Sequence, residues 1–430
     1  MSCISTLEDL FLSLLPVFTS PSADLFRALV VGWILCPGRR TVTALIPLAD
    51  PDLAHAHDAF HRFWRAGAWA LGRLFRLWAA LLVKALAPHE PELVLVTDDT
   101  VHKKTGRKVA GAKWHRDAVR STGTRTVHVW GLQLAVLTLR VKPPWGGEPL
   151  ALPLNVRLYR AGGPTLLDLV AEMIGDVAAW FPDRRFLLVA DGFYAPLAGR
   201  TLPRTHLVSR LRSDAALYTL PPPRRKGQRG RPRKKGFRLP DPRDTAARVR
   251  DWRPVQTEER GRTRERLVCV REVVWYAVRP DAPVLLVISR DPDGVEKDDF
   301  FFTTDVSRTP EAVISVFADR WAIEDTFRAV KQSLGAEEPQ AWQGQGPERV
   351  GAFAYFLYGL VWLWYLRHGY GSVGLRLTPW YRSKCRPSFL DARAALRTAL
   401  WRHRISSTVP HAAQLEKFTV PLVQALARAA

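Results

Sequence analysis

Three acidic positions stand among residues suited to chemistry on phosphates. Asp98-Asp99-Thr100 closes a β-rich run over 92–97, and Asp191-Gly192 closes the short apolar run 185–190. Glu324 lies in a helical segment with Phe317, Arg320, Arg328 and Lys331, at three- and four-residue steps that share one stripe of a helix. Carboxylates brought together are hard oxygen donors of the kind that hold Mg²⁺, and guanidinium and ammonium groups beside them suit phosphate oxygens. Each motif also has a plainer reading. The aspartates would close ordinary turns after strands, and the Glu324 stripe would be a row of helix-surface ion pairs.

Such residues can act together only if the elements carrying them converge. From about Pro91 the chain reads β, β, β, α, β, with strands over 92–97, 126–141 and 150–159, a helix over 166–181 and a strand over 185–190. Open sheets bind ligands at strand ends, so carboxylates closing the first and fourth strands meet if those strands are neighbours. The sequence leaves that adjacency open. Residues 221–238, rich in Pro, Gly, Arg and Lys, predict an exposed loop, and the strand-like runs 267–278, 284–289 and 300–304 predict a β-rich insertion. Thr309-Pro310-Glu311 then supplies an N-cap, a first-turn proline and an early acid, which predicts one helix reaching Gly335.

Residues 1–86 read as helical, with a single apolar period over 56–86. Arg62, Arg65, Arg73 and Arg76 fall on the opposite arc with Trp69, a face that fits either DNA or an interdomain contact. The expected division is a helical domain over 1–88, a core over 89–211 and 305–345, the insertion over 212–304, and a helical region over 346–430.

The charge balance selects the partner. Sixty-three basic against 41 acidic residues give a net +22, which calls for a polyanion. Membrane spanning is disfavoured: the most apolar stretch, 353–366, is short for a bilayer and reads as a buried core helix. Glu8 and Asp9 interrupt any signal-peptide pattern, so the expected location is the cytoplasm, at the nucleoid when bound to DNA. The four cysteines stand singly, and no Cys/His spacing fits a zinc knuckle.

The glutamate segment resembles the bacterial insertion-sequence DDE transposases whose helix carries Tyr, two residues, Arg, three, Glu, six, Lys. Phe317, Arg320, Glu324 and Lys331 stand at those spacings, with Phe in place of Tyr. The run Asp319-Arg320-Trp321-Ala322-Ile323-Glu324 is similar to that group's RW.IE string, and Lys331-Gln332-Ser333-Leu334-Gly335 to its K..LG ending. Asp98-Asp99-Thr100 resembles the first Asp-x-Thr motif and Asp191-Gly192 the second aspartate, so the likeness covers roughly residues 90–340.

This resemblance implies an α/β fold: an RNase H-like catalytic core interrupted by the β-rich insertion, with helical N- and C-terminal regions. It implies DNA strand cleavage and transfer with two Mg²⁺ or Mn²⁺ ions held by Asp98, Asp191 and Glu324. Asp98 stands two residues before Thr100 and so matches the motif, with Asp99 the alternative first ligand. Arg320 and Lys331 would bind DNA backbone, and Arg328 joins them by its place on the stripe. The implied partners are terminal inverted repeats and target DNA, with two protomers pairing two ends and no small-molecule cofactor. In the basic loop, Arg229, Arg231, Arg233, Lys234 and Lys235 are further DNA candidates, and Arg229-Gly230-Arg231-Pro232 is similar to a minor-groove hook. Some related transposases stack an insertion-domain Trp on a flipped base; Trp252 and Trp275 are the candidates, Trp275 reading better as core. Two other readings remain: a domesticated DNA-binding protein that no longer transposes, and a cellular RNase H-like nuclease.

Overall fold

The computed structural model describes residues 5–117, 120–223, 230–371, 374–375, 377, 379–408 and 416–429. The N-terminal region forms α1 (Ser5–Leu14), α2 (Ser20–Leu35), α3 (Val42–Ala49), α4 (His57–Ala66) and α5 (Leu71–Leu86). The single period over 56–86 is therefore two helices, bent by 87°. Trp69, in the break, turns inward: its indole N–H donates to Phe63 O at 3.0 Å and its ring lies under the Arg349 guanidinium. The interdomain reading of Trp69 holds, and the DNA reading fails because the ring is buried.

The strands are β1 (Glu92–Lys103), β2 (Lys113–Arg116), β3 (His128–Val141) and β4 (Leu150–Leu158); after α6 (Leu166–Trp180) come β5 (Arg185–Ala190) and β6 (Thr205–Arg210). A short α7 (Pro242–Arg248) precedes β7 (Arg253–Glu259), β8 (Arg262–Val273), β9 (Val284–Arg290) and β10 (Asp299–Thr303). β4, β3 and β1 pair antiparallel in that order, and β1, β5 and β6 pair parallel. This mixed α/β arrangement is consistent with an RNase H-like DDE fold. The strands of the insertion do not stand apart: β10 pairs with β6, and β9, β8 and β7 continue the same sheet of ten strands. β1 differs from expectation by running on past Asp98, because antiparallel pairing with β3 continues to Lys103 after β5 has ended.

The predicted helix over 309–335 starts and stops where expected but is not uniform. Thr309 caps α8 (Pro310–Asp319), α9 (Ala322–Arg328) follows, and a wide π turn (Ala329–Ser333) leads to Gly335 at φ +58°. Between the two helices the backbone tightens into i→i+3 bonds, Arg320 N to Phe317 O, Trp321 N to Ala318 O and Glu324 N to Trp321 O, a local 3₁₀ winding.

α10 (Gly346–Trp364) is apolar on nearly every side after its first turn and is buried in the centre of the chain. With the π turn after it, the helix extends well beyond 353–366, and by length and composition Gly346–Gly369 is long enough to cross a bilayer; 94% of its apolar window is covered by the rest of the chain. Gly359 lets the Trp78 ring approach to 2.6 Å from where a Cβ would stand. Trp78 Nε1 donates to Pro153 O at 2.9 Å and Trp33 Nε1 to Leu334 O at 2.8 Å, which ties the N-terminal helices to β4 and to the end of the glutamate segment. α11 (Phe389–Thr408) and α12 (Glu416–Arg428) complete the described chain.

Candidate active site

The pairing of β1 with β5 ends at Val96 opposite Val189. Asp98 and Asp191 each stand two residues further on, so the same register brings them level. Residues level on adjacent parallel strands point to one face. Asp191 also caps the 3₁₀ turn Gly192–Gly199, its Oδ1 accepting from Phe193 N at 3.0 Å. Burial pushes the Asp98 carboxyl up to about 7; the charges of Asp191 and Asp99 add to the rise and Arg320 opposes it. Burial raises Asp191 as well, against the Phe193 N–H and Arg320. Both shifts come first from burial, which disfavours the charged form, and the nearby Arg320 only partly offsets it.

Glu324 reaches the pair through an arginine. Arg320 donates to Asp98 Oδ2 at 3.1 Å and to Glu324 Oε1 at 3.2 Å, with its guanidinium between them. The Phe317 ring lies 5.7 Å from that guanidinium and packs at a tilt against Phe301, so a phenylalanine serves here as an apolar support. Among the described residues no three His, Cys, Asp or Glu side chains stand grouped as metal ligands. The donor set nevertheless fits a divalent cation. Asp98 and Asp191 offer hard, largely buried carboxylate oxygens level with each other, and Glu324 is separated from Asp98 by the width of one guanidinium.

Strand alternation separates Asp99 from Asp98. Asp99 accepts from Tyr194 Oη at 2.9 Å and from Gln133 Nε2 at 2.6 Å. Burial and the nearby carboxylates raise the Tyr194 phenol, which stays protonated as that donor. On the Asp98 face the next position is Thr100, whose Oγ1 accepts from Lys331 Nζ at 2.6 Å. Burial lowers the Lys331 pKa. Lys331 thus lies along the strand from Asp98, as the sequence stripe required. Arg328 does not join them: it pairs with Asp325 and lines a cleft with Trp145 and Arg386. Arg328 takes Asp325, three residues back on the same helix, in place of Glu324, whose Oε1 accepts from Arg320.

The basic loop lies elsewhere. Arg229 is outside the described residues; Arg231 and Arg233 are exposed. Lys234 pairs with Asp281, and Lys235 lies over the rings of Tyr218 and Tyr276 at 3.9 and 4.0 Å, so these two lysines brace the loop. Trp275 packs edge-on against Phe302, a core role, and Trp252 lies under Arg290 at 4.2 Å. Unforeseen was the β7–β8 hairpin tip, which carries Arg260 over the Trp321 ring at 4.3 Å, next in sequence to Arg320. The alternation Arg262-x-Arg264-x-Arg266 is a strand-period signal that pointed to this tip. Phe193, exposed beside Asp191, was likewise not singled out.

No curated protein matches the chain. The sequence model of the DDE superfamily endonucleases matches residues 13–267, a stretch that includes the strands bearing Asp98 and Asp191 and ends before Glu324. Because that match spans more than half of the 430 residues and the paired aspartates fall inside it, the chain belongs to the DDE superfamily endonucleases.

Proposed function

We propose that this endonuclease is a transposase, which binds the terminal inverted repeats of an element, cuts at them and joins the freed ends to target DNA. The observation that carries the reading is the register of β1 on β5, with Asp98 and Asp191 level and Glu324 linked to Asp98 by Arg320. Enzymes of this superfamily act on DNA with divalent metal ions. Two Mg²⁺ or Mn²⁺ ions, when bound, activate the attacking oxygen and stabilise the leaving one. Asp98, Asp191 and Glu324 would hold them. In favour of Asp98 over Asp99 is its side of the strand: it faces Arg320 and Glu324, whereas both Asp99 oxygens are taken by neutral donors.

The chain's own cations act on the substrate. Arg320 moves its guanidinium from the carboxylates to a phosphate beside the scissile bond, where it can bind two oxygens. Lys331, oriented by Thr100, sets a second positive charge along β1. Pairing two ends requires two protomers.

The test is incubation with Mg²⁺ or Mn²⁺ of a duplex carrying the inverted repeats that flank the gene. Nicks at the repeat boundary followed by joined products are expected. Nicks without any joining would reduce the protein to a nuclease, and binding without nicks would make it a domesticated DNA-binding protein.

A further inference from the structure

The glutamate segment has a second basic surface that none of the preceding roles uses. A cleft of about 530 Å³ opens beside Arg320, Phe317 and Trp321, and one of about 470 Å³ lies on the other side of the segment, beside Arg328, Trp145 and Arg386. The two share Glu148, Arg260 and Arg262, so they adjoin at the β7–β8 hairpin tip.

The charges along this path are unevenly matched. Glu259 and Glu296 are engaged by Arg266, Asp299 by Arg210 and Asp325 by Arg328. Among the described residues Arg260, Arg262 and Arg386 form no ion pair with a carboxylate, and Glu148 lines both clefts with Arg260 and Arg262. Their convergence is built into the backbone. The tip glycine, Gly261 at φ +70°, packs directly on Gly147 at φ +82°, and the Arg386 guanidinium fills the place a Gly147 side chain would take. A Cβ at either glycine would drive the hairpin tip, the β3–β4 turn and Arg386 apart.

We propose that the two clefts form one channel for an unpaired DNA strand passing from the carboxylates around Trp321, with Arg260, Arg262 and Arg386 holding its phosphates. The channel rests on the reading that the substrate is DNA. Each cleft falls in the size range of a small-ligand site, about 300–1,000 Å³, which holds a nucleotide or two. Trp145, half-buried in the wall of the second cleft, is backed by the rings of Trp362, Tyr365 and Tyr370, and a base would stack on the part of the indole they leave open.

Fluorescence anisotropy without metal tests this, using a blunt duplex and the same duplex with an oligothymidine extension on either strand. For the wild-type protein one of the extensions strengthens binding. In the triple variant Arg260→Gln, Arg262→Gln, Arg386→Gln that increment disappears, while blunt-duplex affinity stays. The salt slope for the extended probe falls by about 2, since each single-strand phosphate contact contributes about 0.7. The matching triple Lys variant retains the increment, which separates charge from folding. The channel is wrong if neither extension adds affinity to wild type, if the Gln variant keeps the gain, or if it loses blunt and extended probes equally. A wild-type protein that binds neither probe refutes the DNA reading and the channel with it.

Discussion

Two regions of this chain display arginine and lysine densely, and they sit at opposite ends of one strand. The loop over 221–238 is rooted where Tyr218 bridges Val274, just past the end of β8. The hairpin tip at Arg260 and Gly261 lies at its start, roughly 43 Å from Val274 at about 3.3 Å per strand residue. The tip touches Trp321, the neighbour of the arginine that bridges Asp98 and Glu324. Among the described residues of the loop, two lysines are spent on Asp281 and on a pair of tyrosine rings, and Arg231, Arg233 and Arg238 are exposed. Charge density along a sequence is therefore a poor guide to charge available at a site: what counts is which cations the fold leaves unpaired, and where.

The largest expected effects belong to the carboxylates that the hairpin tip overlooks. Asp98→Asn, Asp191→Asn and Glu324→Gln should each slow strand cleavage by about 10³-fold or more, about 4 kcal/mol of barrier, with duplex binding retained in a gel-shift assay. Near-normal nicking by the Asp191 or Glu324 variant would remove the triad. If Asp98→Asn cuts normally and Asp99→Asn does not, the first ligand is Asp99.

Next in size are the two cations of the glutamate segment. Lys331→Ala and Arg320→Ala should cost about tenfold in strand transfer, about 1.4 kcal/mol, with the melting temperature nearly unchanged for Lys331→Ala, whereas Arg320→Ala, which opens a largely buried bridge, should also melt lower. Under the plainer reading, exposed ion pairs of about 0.3–0.5 kcal/mol, rates would not move. Arg320→Ala should in addition bind Mn²⁺ more tightly without DNA, because the guanidinium no longer competes for Asp98 and Glu324; electron paramagnetic resonance of free Mn²⁺ reads this out. Unchanged Mn²⁺ affinity would show that the bridge does not obstruct the ion.

The loop should yield a smaller and less selective loss. Arg231→Gln with Arg233→Gln should lower the salt slope on duplex DNA by up to about 1.8, at about 0.9 per phosphate, with or without an unpaired extension. A loss confined to extended probes would transfer the channel's role to the loop and collapse the contrast between the two regions. Equal losses on A·T-rich and G·C-rich duplexes would leave backbone binding and discard the minor-groove hook.

The smallest effect is on stability against pH. Asp98 has a folded pKa of about 7 against 3.8 for the free side chain, so ionising it penalises the folded state from about pH 4 upward, fully above pH 7. Asp98→Asn lacks this penalty and should gain stability relative to wild type between pH 5 and pH 8, on the order of 1 kcal/mol after Arg320 loses its partner. The same titration makes Mn²⁺ binding by wild type strengthen as pH rises through 7. A variant whose melting-temperature difference from wild type is flat over that range would show that Asp98 ionises normally.

Much of this was written in local sequence. The continuous apolar run of β5 identifies a strand buried on both faces, Thr309-Pro310 and Gly335 mark the ends of the glutamate segment, and Thr165 with Asp168 forms the capping box of α6. Spacing alone linked Arg320 to Glu324, because a helix turn is a local property. Asp98 and Asp191 became neighbours only through the parallel pairing of β1 with β5, a contact between residues about ninety positions apart that no periodicity encodes. Tertiary structure also turned Trp69 inward, since the break between α4 and α5 delivers it to Arg349. The hairpin tip shows the division most plainly. Its alternating arginines are a matter of sequence, but their position beside Trp321 follows from the insertion strands extending the central sheet and from two glycines whose missing side chains let distant turns touch.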